Sequence, residues 1–373
     1  MEQCYLNALG VASALGLTVE ETTRNLFAGS TAGMKRMTTI LLDGEPTYFG
    51  FAPLTDEMLA RTPSRLEALI DATLIDLEDA LDDLKTRLAP ERIGVVIGTS
   101  NAKLEDFSHG NGNLSMAFPA LSIREKLGLK GPAWGVSTAC SSSGKVLASA
   151  RKLLLNGICD AVIVGGADAY TQIVVNGFHA LESISTELTR PLSPARDGIN
   201  LGEAAALFIL SKEKTANSIA LLGVGETSDA YHLTAPHPDG LGAEASMKAA
   251  LDEAGLEPDQ IDYINLHGTG TVYNDAMECA AIRRLFGTRV ACSSTKVMTG
   301  HTLGAAGALE AAFCWITLLR NQGLPPHLVT DIDRELAPFV VPTLGNTLPA
   351  RYVLSNSFAF GGSNASVLLG RID

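Results

Sequence analysis

The chain has 373 residues, of which 46% are hydrophobic and 18% charged, and it carries a formal net charge of −13. This composition excludes a disordered chain and supplies a large core, enough for two domains or one large α/β domain. The acidic balance argues against general nucleic-acid binding, which needs clustered cations against phosphate.

The predicted elements follow in chain order. Met1-Glu2-Gln3-Cys4-Tyr5-Leu6-Asn7 has neither the basic start nor the apolar run of a signal peptide. Ala80-Leu81-Asp82-Asp83 ends a helix, and a loop leads to the strand Ile93-Gly94-Val95-Val96-Ile97. Next comes Val136-Ser137-Thr138-Ala139-Cys140-Ser141-Ser142-Ser143-Gly144, one thiol among small residues. The helical pattern Val146, Leu147, Ala150, Leu153, Leu154 follows it. A thiol at a strand-to-helix corner faces the unpaired N–H groups of the first helical turn, which favours thiolate. Ala161-Val162-Ile163-Val164 and Leu207-Phe208-Ile209-Leu210 are apolar on both faces, as in a sheet covered by helices on both sides.

The second part of the chain repeats this order faintly. Ala220-Leu221-Leu222-Gly223-Val224 resembles Asn7-Ala8-Leu9-Gly10-Val11. Ala250-Leu251-Asp252-Glu253 leads to the strand Ile261-Asp262-Tyr263-Ile264-Asn265 and then His267-Gly268-Thr269. The Ser-rich strand Ala291-Cys292-Ser293-Ser294-Thr295 matches the Cys140 strand. The helix after it begins near His301 and carries Leu303, Ala306, Leu309 and Ala312. Three pairs in one order predict two similar α/β halves, residues 1–212 and 213–373, related by a pseudo-dyad. That symmetry sets the Cys140 corner of one half against the His267 and His301 corners of the other.

The six cysteines show no C-x-x-C or zinc-finger spacing, so no metal site is expected and five of them read as core filler. No G-x-G-x-x-G or Walker motif marks a bound cofactor. The apolar stretches are short or carry polar residues such as Glu310, so no membrane span is expected. Free thiols and the absent leader predict a cytoplasmic protein. His109, His179, His237 and His327 have no site context and read as surface or structural residues.

Taken together, the motifs identify a resemblance. The chain resembles the elongating β-ketoacyl-acyl carrier protein synthases, the ketosynthase branch of the thiolase-like condensing enzymes. The resemblance rests on Ser137-Thr138-Ala139-Cys140-Ser141-Ser142, Gly165-Gly166-Ala167-Asp168 and Arg190-Pro191-Leu192-Ser193-Pro194. It continues through His267-Gly268-Thr269-Gly270-Thr271, Asn274-Asp275-Ala276-Met277-Glu278, Thr295-Lys296, Gly300-His301-Thr302-Leu303-Gly304 and Phe358-Ala359-Phe360-Gly361-Gly362. It implies a thiolase-like fold with two α/β halves in αβαβα layers. It also implies decarboxylative Claisen condensation of an acyl thioester on Cys140 with a malonyl group on acyl carrier protein. The phosphopantetheine then arrives on the carrier as substrate.

The same resemblance assigns roles. His267 and His301 donate N–H groups to the enolate, Lys296 is a buried cation oriented by Glu310, and Thr269 and Thr271 bind the pantetheine arm. The backbone N–H groups of Cys140 and Phe360 form the oxyanion hole, and Phe360 gates access beside a second loop, residues 229–236. A plain turn competes for the two threonines, and Asp275 and Glu278 read as braces or helix caps. Lys126, Lys130, Arg151, Lys152, Arg190 and Arg196 either form a basic patch for an acidic carrier or are scattered solvated charges.

Two other readings compete with an active synthase. One is a non-catalytic subunit like a chain-length factor, and the other is a Cys-His hydrolase. The expected assembly is a homodimer or a heterodimer with a related ketosynthase-like subunit. It would form at the sheet edge beside the Cys140 strand, with Met116, Phe118, Leu121 and Ile123 facing the partner. The regions 43–71 and 107–131 look abbreviated for the family, so acyl chain length and pathway, fatty-acid or specialised polyketide or polyene, stay open.

Overall fold

The computed structural model describes residues 2–105, 110 and 114–372. Phe107 and His109 lie outside the described residues. Thirteen strands are assigned among those described, in chain order: β1 (Cys4–Ser13), β2 (Met34–Met37), β3 (Thr47–Gly50), β4 (Ile93–Gly98), β5 (Ala133–Val136), β6 (Ala161–Asp168), β7 (Leu201–Gly202), β8 (Ala204–Ser211), β9 (Ile219–Ser228), β10 (Tyr263–Asn265), β11 (Ala291–Ser293), β12 (Tyr352–Ala359) and β13 (Ser363–Gly370).

Ten of them run in the order β11-β10-β12-β13-β9-β1-β8-β6-β4-β5, and β2, β3 and β7 form a small separate sheet. Reading outward from the centre, β1-β8-β6-β4-β5 and β9-β13-β12-β10-β11 repeat one plan. The first two junctions of each are antiparallel and the last two parallel. The halves meet through a short antiparallel pairing in which Cys4, Tyr5 and Leu6 face Leu221, Ala220 and Ile219. All three repeats legible in the sequence fall on equivalent strands: β1 with β9, β4 with β10, and β5 with β11.

The expected layers follow from what each helix covers. Helix Arg65–Arg87 packs on β1, β6 and β8, and helix Phe118–Lys126 packs on β4 and β5. Helix Leu241–Ala254 covers β9, β12 and β13 on the opposite outer face. Helices Ser142–Leu155 and Ala306–Arg320 lie between the half-sheets, each touching strands of both. β6 and β8 are buried along their whole length, as strands between helical layers must be. The stretch Leu303–Arg320 is apolar and long enough to cross a membrane, yet 89% of it is buried as this core layer.

The two central helices cross at glycines. A Cβ on Gly307 would lie 2.6 Å from Gly144 N, so neither backbone could approach as it does with a larger residue there. Across the crossing, the Ala308 N–H donates to Ser143 Oγ at 2.8 Å.

One expectation at the sheet edge is corrected. Ile123 is fully buried in the chain's own core, and Phe118 packs against that core with the Lys103 ammonium 4.0 Å from its ring centre. The helix turns Ala120 and Ile123 into this core, keeps Phe118 half-buried and leaves Leu121 exposed. β5 itself, the terminal strand, is half-buried throughout.

Candidate active site

The Cys140 corner is built by a short hydroxyl network. β5 ends at Val136 and the helix starts at Ser142, so the chain must reverse within residues 137–141. Ala139 does this with φ +50°, a left-handed conformation unfavourable for a residue with a Cβ. It is held by Thr138 N–H donating to Ser142 Oγ at 2.9 Å and by the Ser142 hydroxyl donating to Ala139 O at 2.5 Å. The corner points Cys140 into a cavity.

The opposing side chains come from the second half. His267 follows β10, and its N–H and that of Gly268 each donate to Glu278 at 2.8 Å. Asp275 accepts from Leu192 N–H at 2.9 Å and Gly270 N–H at 3.2 Å. These two carboxylates brace the His267 turn, and Thr271 caps the next helix by accepting from Asn274 N–H at 3.3 Å. His301 is fixed by its main chain, donating to Asn200 O at 2.7 Å and accepting from Gly202 N–H at 3.0 Å.

Its side chain makes the decisive contact: His301 Nε2 lies 3.0 Å from Cys140 Sγ. The His267 ring stands 5.1 Å from the His301 ring at 83°. Lys296 opens a short helix, Lys296–Thr299, rather than ending a strand, since β11 stops at Ser293. Its ammonium pairs with Glu310, and both are buried.

Cys140, His267, Thr269, Thr271, His301 and Phe360 line one cavity that opens to solvent. Thr269 and Thr271 face each other with hydroxyls 3.1 Å apart. The Phe360 ring stacks on Phe178 at 5.5 Å. Its loop is tied to residues 229–236 by Gly361 N–H donating to Leu233 O at 2.7 Å and Asp229 N–H donating to Gly362 O at 2.8 Å.

Comparison with known proteins places the chain in a family. Residues 7–216 match the Beta-ketoacyl synthase, N-terminal domain, and residues 219–331 match the Beta-ketoacyl synthase, C-terminal domain. The chain belongs to the β-ketoacyl synthase family. A 3-oxoacyl-[acyl-carrier-protein] synthase 2 of Staphylococcus aureus is 32% identical over 412 residues, covering 100% of this chain and 99% of the relative. One from Coxiella burnetii is 32% identical over 409 residues, with 98% of each covered. A chain of the complex between a ketosynthase and its chain length factor from Xenorhabdus doucetiae matches at 40% identity and a TM-score of 0.91, covering 100% of this chain and 98% of that one. A β-ketoacyl synthase from Burkholderia phymatum matches at 28% identity and a TM-score of 0.85, with both chains fully covered. The S. aureus alignment spans 412 positions against 373 residues here, so that relative carries segments this chain lacks.

Within this synthase, burial dominates the site's electrostatics. It pushes the Cys140 thiol up to about 12, outweighing the opposing pull of the Lys296 cation. Against the expectation of a helix-stabilised resting thiolate, burial favours the thiol form of Cys140. His267 and His301 are held well below the usual imidazole range, first by burial and then by Lys296. Both rings are neutral, and their Nδ1 atoms have no partner among the described residues. Burial likewise raises the Glu310 carboxyl, with Lys296 pulling the other way, and lifts Glu278 to about 7 despite its three hydrogen bonds.

Lys126, Lys130, Arg151 and Lys152 each pair with their own acid, namely Asp71, Glu91, Glu253 and Glu226. Arg196 donates to Ser193 O at 2.9 Å, Arg190 is exposed, and none of the six lines the cavity. His179 pairs with Asp43 at the surface, and His237 faces Tyr231. His327 is buried, accepting from Ser294 N–H at 3.2 Å and bonding Pro191 O at 3.1 Å.

Sequence reasoning missed the wall residues Phe178 and Tyr273, which line the cavity without a motif of their own, and gave no role to Phe358, which lines it from within the Phe360 motif. Among the described residues, no group of three or more His, Cys, Asp or Glu is placed to hold a metal ion.

Proposed function

We propose that this chain catalyses decarboxylative Claisen condensation on acyl carrier protein, with Cys140 as nucleophile. The observation that carries the reading is the 3.0 Å contact between Cys140 Sγ and His301 Nε2, with His267 beside it at one cavity floor. In the first step Cys140 attacks the acyl thioester of a carrier. The C–S bond to the pantetheine breaks, and the thiol proton ends on the leaving carrier sulfur. The resting thiol fits this role, because a bare thiolate would be exposed to side reactions between turnovers.

In the second step a malonyl-carrier enters and its carboxylate leaves as CO2. The bonding pair stays behind as an enolate. Neutral His267 and His301 each offer an Nε2–H to the enolate oxygen, a preorganised pair of donors in a dry site. Cationic imidazoles would hold the carboxylate instead, and Lys296 supports the neutral state of both rings. The enolate carbon then attacks the Cys140 thioester, whose oxyanion is met by the backbone N–H groups of Cys140 and Phe360. Collapse expels the Cys140 sulfur, which takes up a proton, and the β-ketoacyl-carrier departs.

In this reading Thr269 and Thr271 bind the pantetheine arm and Phe360 is the gate. The division at 212/213 supplies the nucleophile from one half and the histidines and lysine from the other. The Xenorhabdus ketosynthase is paired with a chain length factor, and this chain is assigned the same kind of assembly, a heterodimer with a related subunit, acting in the cytoplasm. Its four catalytic side chains are all present, which favours the active partner over the silent one.

The test is intact-mass analysis and peptide mapping after incubation with a panel of acyl carriers. A single acyl adduct on Cys140 is expected. An adduct on Cys292 or Cys314, or none with any carrier, overturns the reading. Light scattering of the chain alone and with a co-expressed related subunit tests the assembly, and a fully active monomer overturns it.

A further inference from the structure

Asp168 closes β6 and is buried, yet it does not line the cavity. Its carboxylate collects donors from two places. From its own half, Oδ1 accepts from Thr99 Oγ1 at 2.5 Å and Asn101 N–H at 3.1 Å, and Oδ2 accepts from Ser100 N–H at 3.0 Å and Ser100 Oγ at 2.7 Å. From the other half, Oδ2 accepts the Gly304 N–H at 2.7 Å, and Ser100 Oγ also meets that N–H at 3.2 Å. The approach requires glycine: a Cβ on Gly304 would sit 2.4 Å from Ser100 N and 2.6 Å from Asp168 Oδ2.

The segment anchored in this way is the one that carries His301. Between His301 and Gly304 lies Leu303, buried and held at φ +55°. A branched side chain in the left-handed region persists only where both flanks are fixed. The upstream flank is fixed by the His301 main chain, bonded to Asn200 and Gly202. The downstream flank is fixed by the Asp168–Gly304 bond. Without it, the strained corner can relax, and relaxation moves His301 relative to Cys140 on the far side of the interface between the halves.

We propose that Asp168 is a positioning residue that holds His301 in register with Cys140 by anchoring Gly304 across the two halves. This inference rests on the proposed role of His301 in decarboxylation. A small misplacement of a reacting group costs up to about a hundredfold in rate, so the effect is measurable.

The experiment compares wild type, Asp168→Asn, His301→Ala and the double variant, each as the assembled enzyme. CO2 release from malonyl-carrier and acyl loading of Cys140 are measured separately. Asp168→Asn turns one oxygen into an amide donor facing N–H groups. It is expected to lower the turnover of CO2 release about ten- to hundredfold with KM unchanged and loading within about twofold. Because Asp168 acts through His301, the double variant is expected to be no slower than His301→Ala alone.

Wild-type release from Asp168→Asn overturns the inference. So does a double variant slowed by the full additional factor, which marks Asp168 as merely structural. If Asp168→Asn fails to fold, Ser100→Ala, which removes one donor to the carboxylate and one acceptor for Gly304, takes its place. A several-fold loss with the same non-additivity is then expected, and an additive or absent loss overturns the inference. If His301→Ala itself releases CO2 at the wild-type rate, the proposed function fails instead.

Discussion

Two corners of this molecule occupy equivalent places and do opposite things. After β5 the chain turns within residues 137–141 and starts the helix Ser142–Leu155. After β11, its counterpart, residues 294–305 intervene before the helix Ala306–Arg320. The tight corner presents a single small thiol. The long one has room for the Lys296–Thr299 turn, for His301 and for the φ +55° residue Leu303. The crossing of Gly144 and Gly307 brings the two helix starts together. An internal repeat thus supplies symmetric walls, and a difference in loop length divides the proposed nucleophile from the proposed electrostatic machinery.

Removing the tight corner's one reactive atom is the harshest test of that division. Cys140→Ala is expected to lower condensation by on the order of 10⁴-fold or more, with the fold intact by circular dichroism. A residual rate near wild type would mean that the long corner can work without its opposite.

The long corner depends on a buried ion pair. Glu310→Leu strips Lys296 of its buried counter-charge, which costs about 3–5 kcal/mol in unfolding free energy. Replacing both residues with apolar side chains of similar size is expected to restore most of that stability and no activity, as measured by denaturant melts beside turnover. Equal stability of the single and double variants would contradict a buried charge.

His267, on the turn after β10, stands beside His301 of the long corner. His267→Ala is expected to keep acyl loading on Cys140 and to lose about 10²–10³-fold in CO2 release. Collapse of loading with decarboxylation preserved would overturn the role proposed for His267.

The two corners were not equally legible in the sequence. The repeat of β1, β4 and β5 in β9, β10 and β11 can be read because strand and helix periodicities recur in order. Cys140, His267, Lys296 and His301 stand in glycine- and serine-flanked motifs that survive as local patterns. The state of Cys140 does not: a helix start argues for thiolate, and only the three-dimensional burial reverses it. Ile123 reads as an interface residue because an apolar residue in a sequence does not say which neighbour covers it. The Asp168 anchor is legible as a Gly165-Gly166-Ala167-Asp168 motif, but its partner, Gly304, comes from the other half. Phe178, stacked on Phe360, has no motif and is found only once the helix Gln172–Ala180 is folded over the cavity.

That reversal at Cys140 is itself measurable. With the thiol at about 12, the thiolate fraction is small at neutral pH and grows roughly tenfold per pH unit below that value. The rate of Cys140 alkylation by iodoacetamide, read by mass spectrometry, is expected to climb without a plateau between about pH 7 and pH 9. The sign follows from the direction of the shift: a raised acid stays protonated until the pH approaches it. A plateau near pH 7 would restore the helix start as the dominant influence on the tight corner.

The smallest effect concerns access to both corners. Phe360 stacks on Phe178, and its loop is pinned to residues 229–236 by two backbone hydrogen bonds, while Gly361 and Gly362 adopt φ +80° and +72°. One ring contact is worth only about 0.5–1.5 kcal/mol, so opening it changes rates by a few-fold to about tenfold. Phe360→Ala is expected to admit malonyl-carrier before Cys140 is acylated. Decarboxylation without condensation should then rise by that factor relative to product formation. Phe178→Ala removes the other half of the stack without touching the loop and is expected to produce the same imbalance. If neither variant changes the ratio of CO2 released to β-ketoacyl product, the aromatic pair is a wall of the cavity rather than its gate.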